Sequence, residues 1–355
     1  MHQNMPTVGH DSDGLDGLRL NRPYPSLLSL VFPLYNEGTV VAPLRSAVQG
    51  FAAEVNCETE IILVNDGSTD TTASQVTEWA LEDPRVKVIH LSRNFGHQNA
   101  CTAGLDFASG DAVVLLDADL QDPLSVVHTM IDRYCEGYDV VYGVRQTRQG
   151  ESLFKRGTAW LFYRAMRGLV YKDLPLDTGD FRLISRSCLA GLQQLRETHR
   201  FLRGMVAWVG YSQTGVPYER AARVAGHTKY PLYKMAKFAW TAATSFSTLP
   251  LKASIFLGVI ACVFGLEEAV RAILAHIFNW YVVPGWSSLT VLISVIGGAM
   301  LISIGILGEY VGKLYEQTKN RPLYLVARTV NIQEQGGDQN LRSTARTERD
   351  EPARI

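Results

Sequence analysis

The chain has 355 residues, 46% of them hydrophobic, which suits one large domain with a sizeable core and excludes a disordered chain. A formal net charge of -1 at pH 7 gives no overall attraction to nucleic acid, so charge-driven recognition must come from local patches. The five cysteines form no CxxC pair and have no zinc-like His spacing, so they read as packing residues in a reducing compartment.

Residues 1–24 lack a basic start followed by an apolar run, so the expectation is a mobile tail without a signal peptide, beginning in the cytoplasm. From Leu27 onward, short β-branched runs alternate with segments of helical period. The runs are LLSLVFP (27–33), EIILVN (60–65), VKVIHL (86–91), AVVLLD (112–117) and DVVYGV (139–144). Apolar character that is continuous rather than alternating predicts strands covered on both faces, hence an α/β domain with a mostly parallel, doubly wound sheet. Ligands in such sheets sit beyond the carboxyl ends of the strands. Those ends read PLYNE, NDGSTD, SRNFGHQN, DADLQDP and GVRQTR.

After Lys229 the composition shifts. Residues 229–252 interleave Lys234, Lys237 and Lys252 with Tyr230, Tyr233, Phe238, Trp240 and Phe246, as expected of amphipathic helices in an anionic membrane interface. Ser287 to Gly308 holds no charged residue and is long enough, at about 1.5 Å per residue, to cross a hydrocarbon core of about 30 Å. An earlier span starting near Ala253 runs into Glu267, Glu268 and Arg271, which suits a far interface or a bundle interior; an interfacial helix is the alternative. Lys252 precedes the pair, and Lys313, Lys319, Arg321 and Arg328 follow it. The connection HIFNWYVVPGW has no Lys or Arg, so both ends are predicted to face the cytoplasm from the inner membrane. The expected organisation is a tail (1–24), a catalytic domain (25–228), juxtamembrane helices (229–252), a two-helix membrane region (253–312) and a cytoplasmic C-terminal segment with a disordered tail (313–355). Gly297, Gly298 and Ala299 permit helix association and so a homo-oligomer.

Asp117 and Asp119, two apart just past a strand, point the same way and suit a divalent cation that grips phosphate oxygens. The plainer alternative has Asp119, Asp122 and Pro123 form a turn that starts the next helix. Glu37 and Asp66 also follow buried strands and suit hydrogen bonds from a base or ribose. No Walker lysine loop is present, and no G-x-G-x-x-G follows the first strand. For His97 and Asn99 the simpler reading is a helix cap, the other a part in shaping the nucleotide or sugar pocket.

PLYNE, VNDGSTD, SRNFGHQNACTAGLDFASGD, LLDADLQDP, DTGDFRL, RVAGHTKYPLYK and SIGILGEYVGKLYEQTKNRPLYLV together resemble the family-2 inverting glycosyltransferases of GT-A fold. Within these the chain is most similar to the polyprenyl-phosphate group, which holds bactoprenol glucosyltransferases and dolichol-phosphate mannosyltransferases. The resemblance implies that Pro33, Tyr35, Glu37, Val64 and Asp66 hold the base and ribose. It implies that Asp117, Ala118 and Asp119 hold the ribose and metal-bound diphosphate, with Asp119 ligating Mg²⁺ or Mn²⁺ and Gln121 assisting. Arg145, Arg223 and Lys229 would contact phosphates of donor or acceptor, and Asp177 and Asp180 would line the sugar pocket. Hydroxyl-using members are similar to one another in an ED pair where this chain has a lone Glu197 followed by His199, Arg200 and Arg203. A phosphate monoester is already mostly dianionic at pH 7, so it needs positive charge more than a base. Arg145, Arg223, Lys229 and either Lys155 or Arg156 would supply it, unless they form a solvated basic face. The implied reaction moves a hexose, glucose from UDP-glucose first, onto undecaprenyl phosphate for cell-envelope glycosylation. Its rivals are another donor (GDP-mannose, a UDP-N-acetylhexosamine or a modified pentose) and a non-catalytic lipid-phosphate-binding module.

Overall fold

The structure is a computed structural model that describes residues 20–145, 178–220, 249–278 and 286–332. Asp177, Arg223, Lys229, Lys155, Arg156 and residues 229–248 of the expected juxtamembrane helices lie outside these. The chain divides into two units.

The first unit is an α/β domain on an eight-stranded sheet of order β7-β5-β6-β4-β1-β2-β3-β8. Its strands are β1 (Leu27–Leu34), β2 (Glu58–Asn65), β3 (Val86–Leu91), β4 (Ala112–Leu115), β5 (Val140–Arg145), β6 (Thr178–Ser185), β7 (Gln213–Tyr218) and β8 (Val326–Val330). The helices among the described residues are α1 (Gly38–Glu54), α2 (Thr72–Glu82), α3 (His97–Phe107), α4 (Ser125–Cys135), α5 (Arg186–Gln194) and α6 (Leu202–Trp208). β1 pairs in parallel with β2 and β4, β2 with β3, and β5 with β7. β6 and β8 run antiparallel to their neighbours.

The continuous apolar runs are explained by burial on both faces. Leu28, Leu30 and Phe32 of β1 point to one face, with Leu44 of α1, Trp79 of α2 and Met130 of α4. Val31 points to the other, with Ala100 and Cys101 of α3, Leu189 of α5 and Met205 of α6. Each fully buried aliphatic side chain contributes about 1.5–3 kcal/mol. α3 lies directly on β1, because a Cβ on Gly104 would stand 2.2 Å from Val31 Cγ1. At the other end of the strands Glu60 is buried, accepting from Ser29 Oγ at 2.5 Å and from the Ser109 N–H at 2.9 Å while pairing with Lys87. Burial raises the Glu60 carboxyl, but these partners outweigh it and hold the group below its ordinary range.

Among the described residues eight strands are present where the apolar runs indicate five. β6 holds TGDFRL of the DTGDFRL motif, read from sequence only as site lining, and it is inserted between β4 and β5. β8 lies in the C-terminal segment, where no apolar run indicates a strand. Its residues are mostly exposed, so they carry no buried-strand pattern, and they bond to the edge of β3. Before it, Tyr324 is buried and its hydroxyl donates to Asp106 Oδ2 at 2.8 Å.

The second unit holds α7 (Leu249–Ile277) and α8 (Trp286–Thr318), which contact each other. Pro250–Glu267 and Val295–Thr318 are long and apolar enough to cross a membrane, and 6% and 0% of these windows is buried. α7 continues without a break past Glu267, Glu268 and Arg271, and both helices extend beyond the expected limits of 253 and 312.

Candidate active site

The carboxyl ends of β1, β2 and β4 deliver the expected loops to one edge. Past β1, Tyr35 is 46% exposed and Asn36 takes a left-handed φ of 56°. Asn36 Oδ1 accepts from the Thr69 N–H at 2.8 Å, and the Asn36 N–H donates to Ser68 Oγ at 3.0 Å. The Glu37 N–H donates to Thr72 Oγ1 at 2.8 Å, so the first two loops are sewn together. Past β2, Asp66 is buried and accepts from the N–H groups of Phe95 and Gly96 at 2.7 and 3.0 Å. Burial raises its carboxyl, and these two donors offset only part of the effect. Gly67, at φ 66°, is required: a Cβ there would lie 2.4 Å from the Arg93 carbonyl carbon. Asp66 therefore also anchors the loop between β3 and α3. Val64 is fully buried against α3 and serves the core with its side chain, as does Ala118. Pro33 is buried within β1.

Past β4, Asp117 and Asp119 are partly buried. Asp119 Oδ1 accepts from the Gln121 N–H at 3.2 Å, and Leu120 between them has φ 56°. A leucine in the left-handed region is strained, and such strain is retained at sites whose geometry is over-determined. Asp122 is buried; it accepts from the Tyr218 hydroxyl at 2.5 Å, with Arg220 Nε 3.7 Å away. Arg145 Nε donates to the same Tyr218 oxygen at 3.3 Å. Burial and then Asp122 push the Tyr218 phenol up to about 12.

The antiparallel run of β6 sets the remaining geometry. Leu115 is registered with Arg182, so continuing the two strands brings Asp180 opposite Asp117. Between the two carboxylates stands His97, with Nε2 3.2 Å from Asp180 Oδ2 and 3.6 Å from Asp117 Oδ1. Gln98 Nε2 donates to Asp180 Oδ2 at 3.2 Å, and Arg203 Nε donates to Asp180 Oδ1 at 2.8 Å. Burial favours a protonated Asp180, yet His97 and Arg203 overcome it and hold the carboxyl far below its usual range. Burial disfavours the His97 imidazolium, but Asp180, Cys101 and Asp117 push the ring up to about 11. Asp117 moves the other way, raised by burial and by Asp180, Asp122 and Asp119 against the pull of His97.

The helix-cap reading of His97 and Asn99 is therefore corrected. His97 faces two carboxylates, and Asn99 Nδ2 donates to the Phe95 carbonyl at 2.9 Å, while the α3 N-cap position is Gly96 without a side-chain cap bond. Gln98 and Tyr218 are the members that sequence reasoning missed, while Arg203 was seen only as part of the basic stretch after Glu197. The first turn of α3, which begins at a strand end, was the available signal for Gln98; Arg203 and Tyr218 arrive from distant elements.

The donors fit a hard cation. Asp119 and Gln121 present oxygens, and Asp122 Oδ2 is buried with no hydrogen-bond partner among the described residues. No group of three His, Cys, Asp or Glu side chains able to hold a metal occurs among the described residues. An ion held by one or two carboxylates plus phosphate oxygens of a ligand matches how Mg²⁺ is commonly bound.

The profile described as "Glycosyl transferase family 2" matches residues 29–192, from β1 into α5. The chain is 43% identical over 305 residues to the Bacillus subtilis "Uncharacterized glycosyltransferase YkcC", covering 86% of this chain and 94% of the relative. It is 37% identical over 301 residues to the Escherichia coli "Prophage bactoprenol glucosyl transferase homolog", covering 85% and 98%. Among solved structures, mannosyl-3-phosphoglycerate synthase from Rubrobacter xylanophilus matches with a TM-score of 0.43 at 17% identity, covering 61% of this chain and 71% of that one.

Proposed function

Since the chain belongs to glycosyltransferase family 2, we propose that it is a membrane-anchored inverting enzyme that transfers glucose from UDP-glucose to undecaprenyl phosphate, giving a β-linked lipid-phosphate sugar and UDP. The observation that carries the acceptor class is the state of Asp180. Inverting transfer to a hydroxyl needs a general base within reach, with a pKa near the working pH. Asp180 stands opposite Asp117 but has its oxygens engaged by His97, Gln98 and Arg203 and is held deeply ionised, so it is a poor base. A phosphate nucleophile, already dianionic, needs no base.

The name of the E. coli relative supports a bactoprenol acceptor and glucose, and the two long apolar helices suit an acceptor that resides in a membrane. The aligned 305 residues are too many to lie within the profile-matched region alone, so the likeness to YkcC reaches beyond residues 29–192.

In this reading Tyr35, Glu37 and Asp66 hold the base and ribose, and Asp117 and Asp119 the ribose and diphosphate. A divalent ion on Asp119 and Gln121 would, when bound, supply positive charge to the leaving diphosphate. Asp180, kept ionised by His97 and Arg203, accepts hydrogen bonds from sugar hydroxyls and stays out of proton transfer. Arg145, braced by the Tyr218 hydroxyl at the end of β5, would contact phosphate, the role that the sequence also suggests for Arg223 and Lys229. Both termini would face the cytoplasm, where the nucleotide sugar is found.

The test is a donor panel. Purified protein is given undecaprenyl phosphate with labelled UDP-glucose, UDP-N-acetylglucosamine or GDP-mannose, with and without EDTA. Label should enter the lipid from UDP-glucose and only without EDTA. Preference for another donor would move the assignment to that sugar, and transfer in EDTA would remove the metal.

A further inference from the structure

His90 of β3 is buried, and both of its ring nitrogens are engaged. Asn65 Nδ2 lies 3.0 Å from Nδ1, and Thr77 Oγ1 lies 3.1 Å from Nε2. The direction of each bond follows from its neighbours. Asn65 Oδ1 accepts from the Ser68 N–H at 3.1 Å, which orients the amide so that its NH₂ donates to His90 Nδ1. The ring proton is therefore on Nε2 and is donated to Thr77 Oγ1. The Thr77 hydroxyl donates in turn to the Ala73 carbonyl at 2.7 Å, leaving Oγ1 to accept from His90 and from Arg328 Nη2, the latter at 3.1 Å. Every donor in this chain meets an acceptor only if the imidazole is neutral, and burial and then Arg328 lower it to about 4.

A buried histidine is most often a packing residue. This one differs in what lies at the end of its chain of bonds. Asn65 closes β2 immediately before Asp66, and its hold on Ser68 shapes the 65–68 turn. Ser68 Oγ then accepts from the Asn36 N–H in the loop after β1. The same chain starts at Arg328 in β8, the strand that follows α8 in sequence.

We propose that His90 is a positioning residue for the donor nucleotide, fixed by Thr77 and Arg328 and fixing, through Asn65 and Ser68, the two loops that carry Tyr35, Glu37 and Asp66. This rests on the reading of those loops as the nucleotide site. β8 thereby contributes to the donor site through Arg328.

The experiment is calorimetric titration of full-length protein with UDP and with GDP, each in Mg²⁺ at pH 7.5, alongside thermal unfolding. His90→Phe removes both bonds and should weaken binding of the preferred nucleotide about tenfold, whereas His90→Asn, which keeps an acceptor near the Nδ1 position, should stay within about twofold. Thr77→Val keeps the shape of Thr77 and loses the acceptor for Nε2–H; it should weaken binding about threefold without a matching fall in melting temperature, and it decides the matter if His90→Phe does not fold. Asp66→Ala is the control on the loops. If it weakens binding while His90→Phe and Thr77→Val bind like the unaltered protein, the relay is overturned. If Asp66→Ala has no effect, or the unaltered protein binds neither nucleotide, the nucleotide-loop reading has failed and the proposal falls with it.

Discussion

Asp180 lies among charges that cancel its own, and this separates it from Asp117 two strand positions beyond the end of β4. Asp180 has His97 and Arg203 within hydrogen-bond reach, while Asp117 is pushed toward protonation by burial and then by the other carboxylates, against the pull of His97. Arg203→Ala should release one side of that clamp, let the Asp180 carboxyl rise, and lower kcat/KM by about 10- to 100-fold, read by steady-state transfer assays. Tyr218→Phe keeps the edge-to-face packing on Phe181 but leaves Asp122 without its hydroxyl donor. It should cost about 1–3 kcal/mol of stability, measured by denaturant unfolding of the purified protein. At this scale the sequence showed which residues carry charge but not how they pair. DADLQDP and DTGDFRL were visible as acidic motifs, whereas the His97 bridge depends on β6 running antiparallel beside β4, which no local pattern encodes.

The strands and helices repeat the same division between what is local and what is not. β1 to β5 were legible because two-sided burial leaves continuous apolar runs, while β8 was not, because a mostly exposed strand on a sheet edge needs only backbone bonds. β7 escaped for a related reason: QTGVPY is only partly buried and contains a glycine and a proline. The close approach of α3 to β1 makes Gly104→Ala a test of the packing. Its added methyl must displace Val31, and a loss of about 1–3 kcal/mol is expected in unfolding measurements. Glu60 ties β1, β2 and β3 together. Its folded carboxyl is held below the ordinary 4.5, so its contribution is present above that pH and is lost as pH falls through the lower folded value. Glu60→Gln should cost about 3 kcal/mol at pH 7, and the gap from the unaltered protein should narrow as pH is lowered from 5 to 3.

The whole molecule joins a sheet with a charged edge to two long apolar helices, and the chain returns after α8 to add Tyr324 and β8 to that sheet. Truncation after Thr318 would remove the return, bare the edge of β3 and leave Asp106 without the Tyr324 hydroxyl. The expected result is aggregation or a lowered melting temperature on size-exclusion and thermal unfolding, beyond any loss of activity. The apolar helices were legible from composition alone, but the return was hidden because its few buried residues follow a long polar helix end. The role proposed for Asp119 in transfer of glucose to a lipid phosphate is tested most directly by label transfer from UDP-glucose to undecaprenyl phosphate by the unaltered protein and by Asp119→Ala. Labelled lipid is expected from the first and a fall of at least about a thousandfold in the second. Equal label from both, or none entering lipid from the unaltered protein, would contradict it.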